Sequence, residues 1–139
     1  MRAASAATVY IDGASRGNPG RAAVGVVFQD GEGRPTKVLS KAIGVATNNA
    51  AEYFALLFAM QEALMMRVEE IHVFTDSELV AKQFSGEYRV KDASLKLLYF
   101  LVEHLRSGFR QVTVAHVPRE RNRLADKEAN RALDEASLL

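Results

Sequence analysis

Three β-rich runs precede the first helical stretch of this chain, and after it single β runs alternate with helices; that order restricts the fold more than any other feature. The first run is residues 8–12 (TVYID), and residues 13–20 (GASRGNPG), with three glycines and a proline, read as a loop. Residues 22–29 form the second run, Asp30-Gly31 stands in hairpin position, and residues 37–45 form the third. Such a series predicts an antiparallel meander. Residues 50–67 are mostly strong helix formers, with Thr47, Asn48 and Asn49 available as caps ahead of them. Residues 71–75 (IHVFT) predict a short strand, and Thr75 with Glu78 has the spacing of a capping box opening a helix that ends near Phe84. Leu95, Leu98, Leu101, Val102 and Leu105 recur at helical spacing until Ser107-Gly108. Residues 111–117 predict the last strand, ended by Pro118, and residues 122–138 the last helix, with Leu124, Ala125, Ala129, Ala132 and Leu133 on one face. The expected architecture is α/β: a five-stranded mixed sheet in which the meander joins parallel strands through right-handed crossovers, with helices on both faces.

With 139 residues, 48% hydrophobic and 25% charged, the chain is expected to form one domain over residues 1–139, with residues 1–6 as a flexible tail. The absence of cysteine excludes a disulfide framework, a thiolate metal site and a cysteine nucleophile. The longest apolar candidate, residues 50–66, is interrupted by Glu52, Gln61 and Glu62, and falls short of the roughly 18 apolar residues that span a bilayer. No apolar stretch of signal-peptide length follows the start. A cytoplasmic protein without membrane association is the expectation. Eighteen basic against seventeen acidic residues give a net charge of +1, which by itself announces no polyanionic partner.

Four carboxylates stand out by position. Asp12 follows an apolar strand and leaves the core at its edge; a turn residue before Gly13 is the competing reading. Asp76 ends IHVFTD in the same way, with a helix N-cap as its alternative. Glu52 shares a helical stripe with Leu56, Ala59 and Ala63, so it projects from an apolar face, where a carboxylate needs a cation or donors to offset desolvation. Asp126 shares a stripe with Asn130 and Leu133, and can be read simply as a favourable charge in a helix's first turns. Asp12 and Asp76 terminate neighbouring strands, where open α/β sheets place their crevices, and the two helix acids could join them there. Four convergent carboxylates repel one another unless a cation lies among them, so the set makes sense as an oxygen-ligand cradle for Mg²⁺ or Mn²⁺. Two such ions about 4 Å apart suit in-line phosphodiester cleavage, one activating a water and the other stabilising the leaving 3′ oxygen. With four acids neutralised, eighteen basic groups face thirteen acidic ones, a balance suited to a polyanion. The Gly-rich segment could then bring backbone N–H groups, Arg16 and Asn18 close to phosphates, although a plain hairpin connection also explains it.

The motifs DGASRGNPG, TNNAAEYFAL, FTDS and HVPRERNRLADKEAN resemble, in this order, the four motifs of the type 1 ribonucleases H, which cut the RNA strand of RNA/DNA hybrids; HVPRE before the last acid is most similar to the archaeal, plant and some bacterial members. The resemblance covers nearly the whole chain. It implies that Asp12, Glu52, Asp76 and Asp126 are catalytic metal ligands for two Mg²⁺ or Mn²⁺ ions, and that His116 is a mobile histidine assisting water attack or product release. It further implies substrate contacts from Arg16, Asn18, Gly20, Asn48, Asn49, Ser77 and Asn122, the last also a candidate helix cap. One feature departs from several members: residues 85–94 (SGEYRVKDAS) are short and lack tryptophan where those carry a basic, Trp-rich protrusion. Hybrid affinity is then expected to rest on the first loop, the 48–49 region and Arg89, Lys91, Arg119, Arg121 and Arg123, which otherwise are solvated charges. The activity implied is cleavage of hybrids to 5′-phosphate and 3′-hydroxyl ends by a monomer, with double-stranded RNA or RNA–DNA junctions as side substrates. A junction resolvase-like nuclease on the same fold and a non-catalytic hybrid-binding module are the competing readings.

Overall fold

The computed structural model describes residues 5–136. Its elements run β1 (Ala6–Gly17), β2 (Gly20–Gln29), β3 (Pro35–Ala46), α1 (Asn48–Met65), β4 (Glu70–Thr75), α2 (Glu78–Ser85), α3 (Ala93–Arg106), β5 (Gln111–His116), a 3₁₀ turn (Arg119–Arg121) and α4 (Arg123–Ala136). The five strands make one mixed sheet in the order β3-β2-β1-β4-β5. β1, β2 and β3 pair antiparallel, whereas β4 runs parallel to both β1 and β5. The expected fold class and element order are therefore those observed.

Most boundaries fall within a few residues of expectation, and two differ in kind. Residues 13–17 are not a loop: β1 continues to Gly17 and pairs with β2 as far as Gly17↔Gly20, leaving only Asn18 and a cis Pro19 at the tip. Gly17 turns there at φ 120°, a conformation that side chains other than glycine rarely adopt. At the start, the tail expected over residues 1–6 lies outside the described residues up to residue 4, while Ala6 is already in β1 opposite Glu70, and Ser5 O accepts from Glu69 and Glu70 N–H.

Alternation along β1 and β2 assigns the faces. Val9 and Ile11, with their partners Phe28 and Val26, belong to the main core together with Tyr53, Leu56, Ala59, Met60 and Ala63 of α1. Ala14 and its partner Ala23 pack instead on Ala132 and Leu133 of α4. Helices thus cover both faces. α3 packs on α1 with Leu95 and Val102 as its buried residues, and Leu101 of the predicted stripe is 46% exposed. Among the described residues no helix is long and apolar enough to cross a membrane.

Candidate active site

The parallel register of β1 and β4 ends at Ile11↔Thr75. Asp12 and Asp76 are the next residues on the two strands, so their carboxylates leave the sheet side by side, in the crevice beyond the end of β4. Asp76 is not spent on capping α2. Ser77 takes that part, its side chain accepting from Val80 N–H at 3.2 Å, while the buried Thr75 hydroxyl accepts from Ser77 N–H at 3.0 Å. The expected Thr75–Glu78 capping box is therefore replaced by a cap two residues later. One oxygen of Asp76 is buried without a hydrogen-bond partner among the described residues, and the Arg119 guanidinium stands 3.6 Å from it.

Glu52 reaches the same place from the first turns of α1, whose N-cap is Thr47. The predicted stripe of Glu52, Leu56, Ala59 and Ala63 is buried throughout. Helix α1 can approach because residue 13 is glycine: a Cβ there would overlap the backbone of Ala51 and Glu52. The close approach is used directly, since Gly13 N–H donates to the Glu52 carboxylate. One oxygen each from Asp12, Glu52 and Asp76 lie within 4.8 Å of one another.

Asp126 arrives from the opposite face. Gly25, the cross-strand partner of Asp12, lets α4 lie directly on β2, since a Cβ at residue 25 would overlap the Ala125 carbonyl. Asp126 lines the same cleft of about 470 Å³ as the other three acids, outside their tight group of three, with Asn130 Nδ2 donating to its carboxylate at 3.3 Å.

The electrostatics follow from this crowding. Burial pushes the Asp12 carboxyl up to about 10, and the neighbouring charges of Glu52, Asp76 and Asp126 push the same way. Glu52 rises to about 7, again chiefly by burial, with the Gly13 N–H pulling against the rise. A set of hard oxygen donors that cannot all ionise unaided, one of them buried without a partner, fits a divalent cation and would be stabilised by it.

The other expected site residues fall in four places. Asn48, Asn49 and Ser77 line the cleft. Arg16, Asn18 and Gly20 lie along the hairpin beyond it: Asn18 accepts from Asn48 N–H at 3.1 Å, Asn48 accepts from Ser15 N–H at 3.1 Å, and Arg16 is bonded to Asp134 at 2.6 Å. His116 is exposed at the end of β5 and does not line the cleft. Asn122 is 1% exposed and donates to the Ile11 carbonyl rather than facing solvent. Gly13 as a donor, Asn130 as a partner of Asp126 and Arg119 as a neighbour of Asp76 were not foreseen; only the adjacency of Gly13 to Asp12 and the shared stripe of Asn130 with Asp126 hinted at them.

Residues 10–132 match the family model described as reverse transcriptase-like. Ribonuclease HI of Halobacterium salinarum is 44% identical over 127 residues, which cover 91% of this chain. The chain belongs to the type 1 ribonuclease H family. Another ribonuclease H of this kind, LC11-RNase H1, has been solved in complex with RNA/DNA hybrid; it aligns at a TM-score of 0.89 and 38% identity, covering 94% of this chain and 98% of that one. The chain spans 64% of the length of the Halobacterium protein and 36% of a bifunctional protein of Mycobacterium tuberculosis to which it is 43% identical. Family membership implies a divalent metal, and the oxygen donors of Asp12, Glu52 and Asp76 are residues that could hold one.

Proposed function

We propose that this chain is a single-domain, divalent-metal-dependent endoribonuclease that hydrolyses the RNA strand of RNA/DNA hybrids, leaving 5′-phosphate and 3′-hydroxyl ends. The observation that carries the reading is the gathering of Asp12, Glu52 and Asp76 oxygens within 4.8 Å, from residues scattered over the sequence, in a cleft that Asp126 also lines. The hybrid complex of the related LC11-RNase H1 supports the choice of substrate.

In this reading Asp12, Glu52, Asp76 and Asp126 hold two Mg²⁺ or Mn²⁺ ions. When bound, such ions activate a water and stabilise the leaving 3′ oxygen. The residues of the chain do the rest. Gly13 N–H fixes the rotamer of Glu52, Arg119 offsets the charge of Asp76, and Asn130 orients Asp126. Asn48, Asn49 and Ser77, on the cleft wall, are suited to the 2′-hydroxyls and phosphates that distinguish an A-form-like duplex. Arg16, Asn18 and Gly20 extend that surface along the hairpin, and exposed His116 serves water attack or product release from outside the cleft. The chain acts as a cytoplasmic monomer, with double-stranded RNA and RNA–DNA junctions as secondary substrates.

The test offers labelled RNA/DNA hybrid, RNA/RNA, DNA/DNA and junction duplexes in parallel, each with Mg²⁺, Mn²⁺ or EDTA. Cleavage of the hybrid's RNA strand in both metals and its loss in EDTA is the expected pattern. Preferential cleavage of branched DNA would assign the resolvase-like alternative, and tight hybrid binding without cleavage the non-catalytic one.

A further inference from the structure

Asn122 is buried at 1% exposure, yet its side chain makes only one hydrogen bond among the described residues. Its Nδ2 donates to the Ile11 carbonyl at 2.8 Å, and its Oδ1 has no partner. Burying an amide with one acceptor unsatisfied costs about as much as the single bond returns, so net stabilisation is a poor reason for asparagine at this position. Its location offers a better one. The accepting carbonyl belongs to the residue immediately before Asp12, and the Asn122 carbonyl in turn accepts from Asp126 N–H at 3.1 Å. One residue therefore links the backbone that carries Asp12 to the first turn of the helix that carries Asp126.

We infer that Asn122 is a positioning residue: its amide sets the distance between Asp126 and the group formed by Asp12, Glu52 and Asp76, and so controls how well the four carboxylates hold divalent ions. The inference rests on the metal-dependent reading above. It assigns Asn122 no contact with substrate, in keeping with its burial. α4 has a second tether of the same chemical kind at a different place, since Ser40 Oγ donates to the Glu128 carbonyl at 2.6 Å. Loss of either tether loosens α4 from the sheet, and the one made by Asn122 lies at the residue before Asp12.

The experiment titrates Mn²⁺ into wild type, Asn122→Ala, Asn122→Asp and Ser40→Ala, following free Mn²⁺ by electron paramagnetic resonance, with circular dichroism to verify folding. Both Asn122 variants should lose about 10- to 100-fold in Mn²⁺ affinity, the range found when partners behind metal ligands are removed. Ser40→Ala should bind Mn²⁺ as wild type does. Asn122→Asp is the sharper variant, because it preserves shape and adds a negative charge; charge alone would tighten cation binding, whereas loss of the tether weakens it. With hybrid as substrate, the Asn122 variants should lose kcat and leave KM unchanged. Wild-type Mn²⁺ affinity in the Asn122 variants, or an equal loss in Ser40→Ala, would overturn the inference. A wild-type protein that binds Mn²⁺ but leaves hybrids intact would refute the proposed activity while the comparison of affinities still judged Asn122, and one that takes up no Mn²⁺ would overturn both.

Discussion

Replacing Asp12 by asparagine should make the metal-free protein more stable while removing its activity. In the folded, metal-free state the Asp12 carboxyl titrates at about 10, against an ordinary value of 3.8, because it is buried and faces three other acids. At pH 7 it stays protonated in the folded protein and ionises in the unfolded chain. The folded state binds the extra proton, so this group's contribution to stability is complete below pH 3.8 and is lost as pH rises towards 10. At about 1.4 kcal/mol per pH unit, the interval from 3.8 to 7 amounts to about 4 kcal/mol against folding. Asparagine cannot ionise and removes that penalty; the imperfect partners of a buried amide return about 1–3 kcal/mol of cost. The net gain is about 1–3 kcal/mol, or a rise of about 3–9 °C in Tm for a chain of this size. Thermal unfolding by circular dichroism in EDTA, from pH 5 to 8, reads both effects. Wild type should lose stability across that range, with Glu52 adding to the loss up to about pH 7, and Asp12→Asn should lose less. Added Mg²⁺ should raise the wild-type Tm and leave the variant's nearly unchanged. A variant that melts at or below wild type in EDTA at pH 7, or a wild type whose stability rises from pH 5 to 8, would refute this account of the site.

Asp76→Asn should abolish hybrid cleavage with the fold retained, as read by a gel assay beside circular dichroism; measurable turnover in saturating metal would exclude Asp76 as a ligand. Gly13→Ala forces a methyl group into the backbone of Ala51 and Glu52, so a stability loss of about 3 kcal/mol and loss of cleavage should appear together in chemical denaturation and activity assays; a near-native variant would mean that α1 can move without disturbing Glu52. Tyr53→Phe removes the hydroxyl that donates to Gln83 Oε1 at 2.5 Å between α1 and α2, and denaturant titration should register a loss of about 1–3 kcal/mol with hybrid cleavage unchanged.

How legible the site was depends on how local each cause is. The element order, the α1 stripe and the placement of Asp76 at a strand end follow from periodicity and turn chemistry within a few residues and agree with the structure, whereas Asp12 lies inside β1 rather than at its end. The continuation of β1 through Gly13–Gly17 is not legible locally, because glycine-rich sequence weakens a strand on its own and only pairing with β2 holds it extended. The choice of Ser77 over Thr75 as the cap turns on which hydroxyl points into the helix, and Thr75 is buried under the strand end. Two contacts that shape the site join residues far apart: Gly13 to Glu52 across 39 positions, and Asn122 to Ile11 across 111. Neither leaves a local pattern. Asn122 resembles a family loop residue, and in the structure it is buried with its amide on the Ile11 carbonyl.

Soaking crystals of the protein in Mn²⁺ and collecting anomalous diffraction would test the central claim most directly. A peak bounded by oxygens of Asp12, Glu52 and Asp76, each at about 2 Å, is expected, with a second site adjoining Asp126 once hybrid is bound to a cleavage-deficient variant. Peaks confined to other acidic side chains, with those three carboxylates left unligated at saturating Mn²⁺, would contradict it.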